Sequence, residues 1–116
     1  MATYTVQSIV EAGLNPTYVA VGASDTFTPA AGDENRVHIL HVKNAGGTQD
    51  VVAVDDPNSV SPAGATTFNP DLSVTVPVTT GDRLIRFPLP RFRQSNGTVS
   101  ITHSFTTTVT AAVFVV

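Results

Sequence analysis

The chain has no cysteine, no tryptophan and few charges of either sign. Without cysteine there is no disulfide framework, no thiolate nucleophile and no cysteine-based zinc site, a usage compatible with a reducing cytoplasm. Charged residues make up 13% of the 116 positions, against a usual share of about 25%. Six Lys and Arg stand against nine Asp and Glu, for a net charge of -3. That is short of the cations needed to neutralise a phosphate backbone, so no nucleic-acid partner is expected. No apolar run approaches the roughly 20 residues of a membrane-spanning helix, and the apolar tail 111–116 is too short, so no membrane partner is expected. The first ten residues, MATYTVQSIV, lack both a basic stretch and a continuous apolar core, so no signal peptide is expected. There is no Gly-x-Ser-x-Gly elbow and no phosphate loop. The expectation is a chain with no enzymatic activity and no cofactor.

What is abundant is valine and threonine, together about three residues in ten. Both are β-branched and favour pleated, half-buried surfaces. Strand patterns fall at 3–10, 17–21, 25–28, 36–44, 50–54, 72–78, 83–87, 99–105 and 109–116, with weaker ones at Val60 and 66–68. Gly, Pro, Asn and Asp separate them, as at Asn15-Pro16, Ala45-Gly46-Gly47, Asp55-Asp56-Pro57-Asn58, Ser61-Pro62-Ala63-Gly64 and Asn96-Gly97. In 36–44, Val37, Ile39, His41 and Lys43 share one face, and His38, Leu40, Val42 and Asn44 the other. Both faces carry apolar groups, which reads as a central strand. The fold expected is all-β: a single-domain β-sandwich of immunoglobulin-like or jelly-roll type, with about eight short strands.

Residues 72–92 read as strand, tight turn at Thr79-Thr80-Gly81-Asp82, and second strand, a hairpin with a stiff exit. Four of the six basic residues, Arg83, Arg86, Arg91 and Arg93, lie in its second half or just beyond, interleaved with Phe87 and Phe92 and braced by Pro88 and Pro90. Arginine and aromatic side chains are enriched where interfaces bind tightly. Arg83, Arg86, Phe87, Arg91, Phe92 and Arg93 are therefore the candidate partner contacts, with Arg91 and Arg93 on a rigid arm. The bland alternative is solubilising charge on an edge hairpin.

No metal site is expected. His38 and His41 point to opposite faces of a strand and cannot share an ion. Asp55-Asp56-Pro57-Asn58 offers loop oxygens but lacks the ligand spacing and distal Glu of a calcium loop. Asn96-Gly97-Thr98 matches a glycosylation sequon, which a tight turn explains as well.

Motifs spread along the chain resemble one group of proteins. They are Gly13-Leu14-Asn15-Pro16-Thr17-Tyr18, then Leu40-His41-Val42-Lys43-Asn44 with Gly46-Gly47, then Val74-Thr75-Val76-Pro77. Phe87-Pro88, Arg91-Phe92 and Gly97-Thr98-Val99-Ser100-Ile101-Thr102 follow. In order and spacing they are similar to small β-rich virion structural proteins of tailed bacteriophages, the capsid decoration and minor head proteins. Val78-Thr79-Thr80-Gly81 and His103 depart from that pattern. The resemblance implies a virion protein made in the host cytoplasm. It would sit on the capsid surface against the major capsid protein, with edge strands, 109–116 among them, expected to pair with a neighbouring copy or with the capsid protein. It would be a homo-oligomer, a trimer first because three-fold positions are common lattice sites. A host-surface glycan-binding module of immunoglobulin type, and a tail or connector component, are the other readings. Exposed aromatic platforms would favour the glycan, and the chain has only Tyr4 and Tyr18 beyond its phenylalanines.

Overall fold

The computed structural model describes residues 1–57 and 71–116. The weak strands expected at Val60 and 66–68, the loop at 61–64 and Asn58 lie outside the described residues. The chain runs through β1 (Thr3–Tyr4), β2 (Val6–Ser8), β3 (Val19–Ala20), β4 (Ser24–Phe27), β5 (His38–Asn44), β6 (Asp50–Val54), β7 (Leu72–Val76), β8 (Gly81–Phe87), α1 (Leu89–Phe92), β9 (Val99–His103) and β10 (Val109–Val115). One sheet has the order β1-β4-β9-β6-β7, and the other β2-β10-β5-β8 with β3 also paired to β10.

The antiparallel pairs nest from the outside in: β3 with β10, β4 with β9, β5 with β8, β6 with β7. Successive pairs alternate between the two sheets. This is a long hairpin wound into a sandwich, so of the two topologies expected the pairing is that of a jelly roll. β1 and β2 precede it. The chain changes sheets at Thr5, so that β1 runs parallel to β4 and β2 runs parallel to β10. Beyond β2, the Gln7 amide accepts from the Thr17 N–H at 2.9 Å and donates to the Thr17 carbonyl at 2.8 Å, standing in for a backbone rung.

Alternation decides what is buried. In β5, His38, Leu40, Val42 and Asn44 face inward, as the spacing requires. Val52 and Val54 of β6, Val99 and Ile101 of β9, and Val109, Ala111 and Val113 of β10 meet them between the sheets. Outward on β10, Ala112 and Phe114 are also buried, because Tyr18 packs edge-on against Phe114 at 6.2 Å.

Three expectations are corrected. Residues 72–87 are not a hairpin: β7 pairs with β6 in one sheet and β8 with β5 in the other. The turn between them carries the chain across the sandwich. It needs Thr79 at a φ of 66° and no side chain at Gly81, whose Cβ would stand 1.9 Å from the Pro77 carbonyl oxygen. The rigid arm is absent too. Pro88 and Pro90 start a single helical turn, α1, that folds Leu89 and Phe92 back into the core. Finally β10, expected as an edge available to a neighbour, is an interior strand flanked by β5 on one side and by β2 and β3 on the other.

Candidate functional site

The loops 28–37 and 88–98, with Asp55, Asp56 and Asp71, lie at the end of the sandwich where β4, β6 and β8 finish. Their charges meet in pairs. Arg91 Nε donates to Asp56 Oδ2 at 2.9 Å, and that carboxylate is almost fully buried. Arg36 pairs with Asp33 at 3.2 Å, and Arg93 approaches Glu34 at 4.0 Å. The Gln94 amide donates to Asp55 at 2.7 Å. The oxygens of Asp55 and Asp56 thus accept from protein donors across to the 88–98 loop.

Of the candidate contacts, Arg83, Arg86, Arg91 and Arg93 are exposed. Phe87 and Phe92 are corrected: at 2% and 1% exposure they are core residues. Alternation sends Phe87 inward with Ile85, and the α1 turn rotates Phe92 beneath it at 5.9 Å. Arg91 braces loops instead of reaching outward. Arg86 makes no side-chain hydrogen bond or ion pair among the described residues, and it flanks a groove of about 350 Å³ floored by Phe87, Leu89 and Pro90.

The opposite end holds a cluster that the spacing did not reveal. Asp25, Asp50 and His103 are buried on the inner face of one sheet. Register sets Asp25 opposite Ile101 and Val52 opposite His103, so the two carboxylates flank the imidazole diagonally from β4 and β6. His103 Nδ1 donates to Asp50 Oδ2 at 2.6 Å, and Nε2 lies 3.1 Å from Tyr4 Oη. Tyr4 Oη donates to Asp25 Oδ2 at 2.5 Å. Asp25 also accepts from the Ala2 N–H at 2.7 Å and from Gly22, where a Cβ would stand 2.8 Å from Asp25 Oδ1. Asp50 Oδ1 accepts from the Phe105 N–H at 3.2 Å. The row therefore crosses four neighbouring strands, β1-β4-β9-β6. Burial first, then the hydrogen bond to Asp25 and the charges of Asp25 and Asp50, hold the Tyr4 phenol far above its usual range.

A second carboxylate–imidazole–phenol chain lies on the outer face of the other sheet. His41 Nε2 donates to Asp82, which leaves Nδ1 to accept from Tyr18 Oη at 2.7 Å. The donor order is that of a hydrolytic triad. Yet burial, and then the Asp82 charge, raise the Tyr18 phenol, the wrong direction for a nucleophile. Lys43 Nζ sits 4.1 Å over the ring. The arrangement suits a cover over Phe114. The signal for both chains was polar residues in phase with apolar ones, but their assembly depends on strand order.

His38 is buried, donates Nδ1–H to the Arg36 carbonyl at 3.0 Å and stacks on Phe27 at 6.0 Å. Its Nε2 has no hydrogen-bond partner among the described residues. Among the described residues no group of three or more His, Cys, Asp or Glu is placed to hold a metal ion. Comparison of the chain with family models, curated proteins and solved structures finds no match. Fold and site together define a jelly-roll sandwich whose chemically capable side chains are tied to one another.

Three outcomes follow from these contacts. The unfolded phenol loses its proton near pH ~10, while folded Tyr4 keeps it. The stability Tyr4 contributes is therefore complete below that pH and falls as pH rises above it. Tyr4→Phe lowers unfolding free energy by about 1.5–3 kcal/mol at neutral pH and flattens the alkaline decline, read by urea unfolding across the pH range. Arg91→Ala lowers it by about 1–2 kcal/mol, because a buried carboxylate loses a half-exposed partner. Arg86→Ala stays within about 0.5 kcal/mol of the native chain.

Proposed function

We propose that this chain is a non-catalytic structural subunit of a virion: a decoration or minor head protein that binds the outer capsid surface and reinforces the shell. The observation that supports this best is where the reactive groups point. Asp25, Asp50, His103 and Tyr4 are directed at one another inside the sandwich, and Arg91 at Asp56. What stays available is surface: the charge-poor outer faces, the exposed strand β8 with Leu84 67% exposed, and Arg86 beside its groove. Such a surface acts by being covered. The motif resemblance supports a phage head as the assembly, with the major capsid protein as the proposed partner.

Attachment works by repetition. Each copy buries modest area, and a lattice of identical positions converts weak contacts into high occupancy. A subunit that touches two capsid proteins at once binds only the assembled shell and stabilises it by mass action. Jelly rolls also serve as lectins. Here, however, Tyr4 is core and Tyr18 lies under Lys43, and no aromatic among the described residues is fully exposed.

Imaging purified particles with and without this protein checks the reading. Extra density at repeated outer lattice positions, and shells that survive heating better when it is present, are expected. Particles that never carry it, together with specific glycan binding by the free protein on an array, would overturn the proposal.

A further inference from the structure

Strand β8 lies at the end of its sheet, with β5 on one side and no strand among the described residues on the other. Its seven residues, Gly81–Phe87, place Asp82, Leu84 and Arg86 on the outer face, all exposed. An exposed leucine at the centre of an open edge is what natural sheets ordinarily avoid. Its flanking charges are of opposite sign and equidistant from it.

That spacing makes the strand self-complementary. In an antiparallel pair, residues directly opposite each other must share a face. Two copies of β8 related by a two-fold axis at Leu84 pair all seven residues. Leu84 then meets Leu84 of the second copy across the axis. Asp82 of each copy meets Arg86 of the other, on both sides of the leucines. Shifting the axis by one residue, to Arg83 or Ile85, keeps faces matched but fails chemically. Centred on Arg83 it sets two guanidinium groups opposite each other, and centred on Ile85 it sets Leu84 against Arg86. Opposite-charge and apolar cross-strand pairs stabilise a ladder, and like charges directly opposed destabilise it. Asp82 binds His41 through one oxygen, which leaves its second oxygen for the guanidinium. Among the described residues Arg86 has no side-chain hydrogen bond or ion pair to give up. Pro88, which lacks an N–H, ends the ladder just past Phe87.

We infer that two copies of this chain associate through antiparallel pairing of β8, with the two-fold axis at Leu84, joining their five-stranded sheets into one continuous sheet. The inference goes beyond the virion reading and holds with or without it. Its symmetry is two-fold, where the lattice analogy led to a three-fold expectation.

The chain has no native cysteine, which gives a direct test. Opposed residues in an antiparallel pair have Cα atoms about 4.5–5.5 Å apart, within the roughly 4.4–6.8 Å that a disulfide spans. Leu84→Cys is expected to form an intermolecular disulfide rapidly under mild oxidation. Thr102→Cys, exposed on the opposite sheet, is the control and is expected to cross-link only slowly. In sedimentation from ~1 μM to ~1 mM, the native chain should show a reversible monomer–dimer equilibrium. Arg86→Asp should weaken it about tenfold or more, with an unchanged circular dichroism spectrum, because two attractive pairs become repulsive. A native chain that remains monomeric throughout overturns the inference. So does a dimer in which Leu84→Cys cross-links no faster than the control, or one that Arg86→Asp leaves intact.

Discussion

Two buried carboxylates constrain this sandwich more than any apolar contact does. Removing a charge from water is tolerable only when partners satisfy it. Asp25 and Asp50 find theirs on other strands: Tyr4 on β1 and His103 on β9. The four residues come together only if the sheet has the order β1-β4-β9-β6 in the observed register. A slip of one residue turns every side chain of a strand to the other face and would leave a carboxylate unpaired. The other end of the interior is held differently, by Phe27, Phe87 and Phe92 with ring centroids about 6 Å apart. Apolar rings there tolerate small displacements that the hydrogen-bonded row does not.

This division of labour shapes what the molecule can do. Asp25, Asp50, His103 and Tyr4 are hydrogen-bonded to one another, and the Tyr4 phenol, its pKa raised by burial, holds its proton. Charges at the opposite end pair across loops and fix them, Arg91 with Asp56 above all. Among the described residues the outside carries apolar groups such as Leu84 together with exposed charges of both signs, Asp82 and Arg86 among them. On the proposed reading such a surface serves association, and the self-complementary edge strand would give that association its geometry.

Much of the strand content was legible because alternation is a local signal. His38, Leu40, Val42 and Asn44 do share the inner face of β5. Which strands neighbour one another was not legible, because that depends on contacts far apart in sequence. The stretch 72–87 looked like a hairpin, since two short strands around a glycine turn are locally identical whether they pair or cross between sheets. Phe92 looked exposed between two arginines because an extended chain would alternate there. Pro88 and Pro90 started a helical turn instead, and 100° per residue replaced 180°. Asp25, Asp50 and His103 each sit two residues from a core apolar side chain, at Phe27, Val52 and Ile101. That in-phase polarity was the available sign of a buried network, but it names no partners.

The claim that these residues form one structural unit is tested most directly by a double-mutant cycle of Asp25→Asn and Asp50→Asn. Both touch His103 from opposite sides, so unfolding free energies of the two single variants and the double variant measure the coupling carried through it. The account predicts a coupling of about 1 kcal/mol or more. Additivity within about 0.5 kcal/mol would contradict it, and would mean the two carboxylates are held independently.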